Sequence, residues 1–233
     1  MNAFYSTTRL PYRVKKLFSK LFAILFLLSL LFITACKKQT DYFSYVSELR
    51  SNIFLSQEQD ASLRIFSVQK ETPYQADGIP KTPTTRTEFY FYAGAGNKDC
   101  FLEFSVDGKT YSGDMSFDNV KAEYYYSCTL DISHLESLNC TVRYGEKTFA
   151  FSAKSVRDTN TLAPKAALEK LISFEPALFS DMTDKYGFAG EIYIRLIYED
   201  APFYYIGVID RSGNIYAFLF SAETGKVLAK RQP

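Results

Sequence analysis

Between residues 45 and 156, apolar and polar residues alternate with a period of two, which is typical of half-buried β-strands. In the clearest example, apolar residues at every second position from 100 to 106 lead into an Asp107-Gly108 turn and a returning strand. An earlier hairpin is predicted from strands around 49–55 and 63–67. Eight short strands with no helical period between them predict two packed antiparallel sheets.

The later strands of this region each place an apolar stripe toward the predicted core, and a loop at 71–86 separates them from the first hairpin. Three prolines exclude that loop from a central strand. The predicted inward positions are Cys100, Leu102, Phe104 and Val106; Tyr124, Tyr126, Cys128 and Leu130; Cys140, Val142 and Tyr144; Phe149, Phe151 and Ala153.

The period changes after the polar run at 154–161, which is the predicted domain boundary. Ala167, Leu168 and Leu171 share one face of an amphipathic helix that starts near Pro164. Alternation returns beyond residue 190 and predicts a four-stranded antiparallel meander. The predicted fold is therefore mostly β, with an antiparallel sandwich over 45–156 followed by a small α+β domain over 162–233.

The stretch 124–144 runs from a strand through a polar corner into another strand, and it resembles the E-to-F passage of immunoglobulin-like and fibronectin type III modules. The tyrosine corner and the core tryptophan of those modules are absent from the sequence. The resemblance implies an immunoglobulin-like sandwich architecture and carries no functional information.

An apolar run from 21 to 36 follows five basic residues and no acidic one, as in a secretory signal. It is shorter than the roughly 20 residues that cross a bilayer. Its last four residues, Ile33, Thr34, Ala35 and Cys36, resemble the lipobox of bacterial lipoproteins. This resemblance implies a signal peptide over 1–35, a diacylglyceryl group on the Cys36 sulfur and a tether over 36–44. The expected location is the extracytoplasmic face of the cell membrane, anchored by lipid; a short uncleaved signal anchor is the alternative.

Charge argues against nucleic acid as a partner. The chain has 27 basic and 26 acidic residues, and five of the basic ones lie in the leader, so the mature part keeps 22 against 26 and a net charge of −4. Phosphate binding requires a basic field. Aromatic residues make up 17% of the chain, all Tyr and Phe, a composition that favours strands.

The C-terminal third ends in an Asp-x-x-Gly turn, a strand and the sequence Ala222-Glu223-Thr224-Gly225-Lys226-Val227-Leu228. Over 164–231 this resembles the end of a PepSY domain. Ser221 replaces the acidic residue usual there, and the insert at 174–188 is longer than in the family. Alternatively, Thr224-Gly225 is only a hairpin turn.

Few residues in the sequence are candidates for catalysis or for metal binding. Cys100, Cys128 and Cys140 fall on inward stripes, which favours buried thiols, although a Cys128–Cys140 disulfide stays open. No Cys-x-x-Cys spacing predicts a metal or redox site. His134 is the only histidine and lies in a polar corner, and the carboxylate pairs occur at turn signals. The sequence therefore predicts no catalytic residue, no metal and no cofactor.

Two classes of function are consistent with the sequence. Because PepSY domains are thought to restrain peptidases, that resemblance implies a non-catalytic binding or peptidase-regulating module that contacts a secreted peptidase or a peptide. The alternative is a structural or accessory lipoprotein of a cell-envelope complex. The predicted binding face is the side of the meander that carries Tyr216 and Phe218, unless that face packs on the sandwich.

Overall fold

A computed structural model describes residues 40–94, 96 and 98–233 of the chain. The strands in this part are Val46–Glu58 (β1), Ala61–Lys70 (β2), Thr84–Tyr92 (β3), Cys100–Val106 (β4), Lys109–Asp114 (β5), Ser116–Asp118 (β6), Glu123–Cys128 (β7), Ser137–Tyr144 (β8), Lys147–Ser155 (β9), Thr183–Asp184 (β10), Gly187–Phe188 (β11), Gly190–Tyr198 (β12), Pro202–Asp210 (β13), Ile215–Ser221 (β14) and Val227–Arg231 (β15). The α-helices are Pro164–Phe174 (α1) and Pro176–Asp181 (α2), and a 3₁₀ helix spans Tyr42–Tyr45.

The first nine strands form a sheet that curls until it is nearly closed. On one side β1, β2, β3, β7 and β6 pair in that order, and on the other β9, β8, β4 and β5 do so. The two sides meet at β1, where Phe54 pairs with Ser155 and Leu55 with Lys154. The predicted Asp107-Gly108 hairpin is confirmed, and both turn residues have positive φ, as a type I′ hairpin turn requires.

The space inside the curled sheet holds the first core, which we call the closed-sheet cluster. Most predicted inward positions of β4, β8 and β9 are buried there, because alternation sends every second side chain to the same face. Phe91 lies at the centre, with its ring centroid 5.7 to 6.2 Å from four other aromatic rings. Tyr126, Cys128 and Leu130 are only partly buried against the cluster.

The second core, the helix-side cluster, lies between α1 and the meander β12–β15. Ala167, Leu168 and Leu171 are buried on the inner face of α1, as their spacing predicts. The Tyr204 hydroxyl donates to the Leu162 carbonyl at 2.7 Å and ties the meander to the segment that precedes α1.

Strand β1 belongs to both cores, which the sequence did not indicate. It supplies Phe54 to the closed-sheet cluster and Val46, Leu49 and Ile53 to the helix-side cluster. Strand β12 pairs with the first half of β1 in parallel, so the meander continues the sheet that the first nine strands begin. A mostly β fold with antiparallel sheets is confirmed, and the part of the chain that the structure describes contains two α-helices. A sandwich with a separate α+β domain is not confirmed.

The described end of the predicted tether packs on the rest of the protein. The ring of Tyr42 packs edge-on against Phe179 at 5.0 Å and Phe188 at 5.4 Å, and Tyr45 contacts Phe188 at 5.3 Å. These aromatic side chains bury apolar area against the helix-side cluster, so Tyr42 and Tyr45 are part of the packed protein.

Candidate functional site

The predicted binding face is in fact core. Phe218 is 1% exposed, and Tyr216 is half-buried against the helix-side cluster, on the side that α1 covers. The prediction was wrong because β14 has apolar residues on both faces, and the sequence does not say which face the helix takes. The opposite face carries Ala217, which is also buried, and Leu219, which is half-buried.

The predicted lipid attachment site, Cys36, lies outside the described residues, together with the signal peptide and the first part of the tether. The anchor therefore stays a prediction. Among the helices of the described part, none combines the length and apolar character needed to cross a bilayer.

The polar corner around His134 is a turn. His134 is exposed, and the Asp131 carboxylate accepts a hydrogen bond from the Ser133 backbone N–H at 2.8 Å. This pattern is an Asx turn, so the carboxylate is engaged in local structure. Within residues 40–94, 96 and 98–233, no three His, Cys, Asp or Glu side chains converge in a way that would hold a metal ion.

The three predicted core cysteines are free thiols. Cys100 and Cys140 are buried and Cys128 is half-buried. Burial raises the pKa of Cys100 and of Cys140 to about 12 each and also raises that of Cys128. Because the thiolate is the reactive form, burial suppresses the reactivity of Cys100 and Cys140 most strongly in the folded protein.

An open sheet edge is the strongest candidate for a binding site. Strand β15 is the last strand at one end of the large sheet and pairs only with β14 among the described strands. Beside this edge, a groove of about 840 Å³ lies between β15 and the C-terminal end of α1. Edge strands present unpaired backbone N–H and C=O groups, which another extended chain can use.

Two exposed apolar side chains flank the groove. Phe174, at the end of α1, is 49% exposed, and Leu228 in β15 is 47% exposed. The register of β14 and β15 shifts between Leu219 and Phe220, which leaves Leu228 as the extra residue of a β-bulge. Each of these side chains therefore keeps about half of its surface available beside the edge.

Lysines supply the charge of the groove. Lys170, Lys226 and Lys230 line it, and the Lys230 ammonium is 2.9 Å from the Glu175 carboxylate. Gly225 has φ +68°, and a Cβ there would overlap the side chain of Lys170, so glycine both makes the turn and lets that lysine cross it. The sequence pattern did not predict these residues as a site; the basic residues clustered in the final strand of the meander were the available signal.

A buried charged network lies elsewhere, under the loop that precedes β3. The Glu191 carboxylate, fully buried, accepts hydrogen bonds from the Ser47 hydroxyl and, at 3.0 Å, from the Gly78 backbone N–H. Nearby, Glu48 forms an ion pair with Arg195. Burial alone would lower the pKa of Arg195, but the bond with Glu48 offsets this and the pKa is raised.

The hydrogen bonds of this network anchor the loop that precedes β3. Glu71, also buried, accepts a hydrogen bond from the Lys81 backbone N–H across the loop. Burial and the neighbouring Glu191 raise the pKa of Tyr74, so this phenol stays protonated. The Glu191 carboxylate thus fastens the loop to β12 and, through the Ser47 hydroxyl, to β1. The signal in the sequence was the charged residues at 48, 191 and 195 within apolar strands.

Comparison with known proteins gave no match: no protein-family model, curated protein or solved structure is significantly similar to the chain.

Proposed function

We propose that the protein is a lipid-anchored, extracytoplasmic, non-catalytic binding module that takes an extended segment of a partner protein as an additional strand on β15. The observation that carries this proposal is the open edge of β15 beside the groove. A segment paired there gains backbone hydrogen bonds from the edge and places apolar side chains against Phe174 and Leu228.

The anchor and the finer fold belong to the same proposal. The lipobox-like sequence at Ile33–Cys36 supports processing to an N-terminal, diacylglyceryl-modified Cys36. Helix α1 packed on the four-stranded antiparallel meander β12–β15, with a turn at Thr224-Gly225, supports a PepSY-like assignment for 162–233. The two groups of strands joined at β1 support an immunoglobulin-like architecture for 45–156. A PepSY-like role would make the partner a secreted peptidase or its peptide.

Mass spectrometry of the membrane-extracted protein tests the anchor. We expect an N-terminus at Cys36 that carries acyl mass, and Cys36→Ala should leave an unprocessed chain. An unmodified chain that begins at Met1 would contradict this part of the proposal.

Peptide binding tests the function. A panel of unstructured twelve-residue peptides is titrated against the mature protein, its Leu228→Ser variant and a matched Val120→Ser variant. Val120 is 95% exposed at the turn between β6 and β7, so Val120→Ser replaces an exposed apolar side chain by a hydroxyl away from the groove. Losing the apolar contact at Leu228 should weaken binding about tenfold, while Val120→Ser should not. The bound peptides should be recovered intact.

Two results would contradict the proposal. Equal loss of binding in both variants would place the site elsewhere on the molecule. Cleavage of the peptides by the purified protein, abolished by one carboxylate or His134 substitution, would make the protein an enzyme.

A further inference from the structure

The positively charged side chains around β15 indicate which kind of partner segment binds in the groove. This inference rests on the proposed function and concerns the same groove. We infer that the groove takes an acidic segment, in which an apolar residue is flanked at alternate positions by Asp or Glu.

The lysines that line the groove make it positively charged. Lys226 and Lys230 lie in or directly before β15, and the side chain of Lys170 crosses Gly225 from α1. The carboxylate paired with Lys230 belongs to Glu175, and both members of that pair keep some exposure, at 46% for the lysine and 20% for the glutamate. An added strand places every second side chain on one face, so acidic residues two apart would meet these ammonium groups.

The same positive charges disfavour pairing of β15 with a second copy of itself. A second copy of β15 would bring Lys226, Lys230 and Arg231 against the same residues of its neighbour, and like charges across a strand pair are destabilising. Lysine at an edge strand is a known protection against such pairing. The same charges disfavour basic segments, so the edge is closed to self-association and remains open to an acidic chain.

The β-bulge at Leu228 determines which position of the partner segment should be apolar. Because Leu228 is the extra residue of β15, the pairing pattern is interrupted there. A partner side chain opposite this point faces the exposed surfaces of Leu228 and Phe174 and is best apolar. Residues two positions away on either side come nearest to the lysines.

Fluorescence anisotropy with the full mature protein in detergent tests the inference. Three labelled twelve-residue peptides share one apolar pattern and carry Glu, Gln or Lys at the alternate positions. At low salt the Glu peptide should bind at least about tenfold more tightly than the Gln peptide, and the difference should shrink in high salt because exposed charges are screened. The Lys peptide should bind most weakly.

Charge reversal supplies the matched variants. Lys226→Glu should weaken binding of the Glu peptide about five- to tenfold and strengthen that of the Lys peptide, because it turns an attraction into a repulsion. Lys109→Glu, which adds the same charge on the β4–β5 hairpin, should change neither. Thermal unfolding of each variant checks that the fold is kept.

The alternative outcomes separate the two proposals. Equal binding of the Glu and Gln peptides, still lost in Leu228→Ser, would overturn the acidic preference and leave strand addition intact. Binding of none of the three would contradict both. If soluble short-chain phosphatidylglycerol binds in a manner that depends on Lys226 while the Glu peptide does not bind, the groove is a lipid contact and this inference is wrong.

Discussion

Gly78 shows how one residue fastens the loop before β3 to the rest of the sheet. Its backbone N–H donates to Glu191, its φ is +75°, and a Cβ would overlap the carbonyl oxygen of Asp210. Gly78→Ala should therefore cost about 3 kcal/mol, since it combines left-handed backbone strain with a backbone overlap.

Gly108 provides the control, because it has φ +74° but open space around its Cβ position. Gly108→Ala should cost only about 1 kcal/mol, from the backbone strain alone. Urea unfolding followed by circular dichroism measures both. Equal costs would mean that the loop moves away freely and that Gly78 does not hold it.

The thiols give a second prediction at this scale. Cys128 is half-buried, whereas Cys100 and Cys140 are buried with pKa values raised to about 12. Iodoacetamide should therefore label Cys128 first and the other two only after unfolding. A raised thiol pKa also means that stability is fully present below the ordinary thiol pKa, near 9, and falls as pH rises toward 12. Early labelling of Cys140, or stability unchanged up to pH 11, would contradict this.

Strands and helices could be predicted from the sequence where the apolar residues of a segment follow a single period. Strands β4, β8 and β9 alternate cleanly and pack as predicted, and α1 starts near its proline and buries the predicted stripe. The packing of the meander was harder to predict, because β13 and β14 are apolar on both faces and α1 could have covered either face. Pairing order is non-local, so neither the return of β9 to β1 nor the edge position of β15 could be predicted from alternation. The groove was missed for that reason.

Two substitutions in β14 test which face is core. Phe218→Ala should cost about 3–5 kcal/mol, because it removes a ring that is 1% exposed under α1. Leu219→Ala, on the opposite and half-buried face, should cost less than about 2 kcal/mol. Denaturant unfolding gives both values. The reverse order would mean that α1 covers the other face.

In the whole molecule, the shared strand β1 joins the two parts that the change of sequence pattern near residue 160 separates. Since β12 pairs with β1 in parallel and β1 contributes to both clusters, the parts before and after residue 160 depend on each other. A specific protease site inserted after Asn160, between β9 and α1, should yield two fragments that stay together on native gel filtration. Fragments that separate without denaturant would show two independent domains.

We propose that β15 is the binding edge of the protein. Hydrogen–deuterium exchange of the protein, with and without the acidic peptide, measures this directly, because strand addition protects edge amides by new hydrogen bonds. The short strand β6, at the opposite end of the sheet path, is the internal control. We predict slower exchange in residues 227–231 and no change in 116–118 when the peptide is bound. Peptide binding that leaves exchange in 227–231 unchanged would contradict the account.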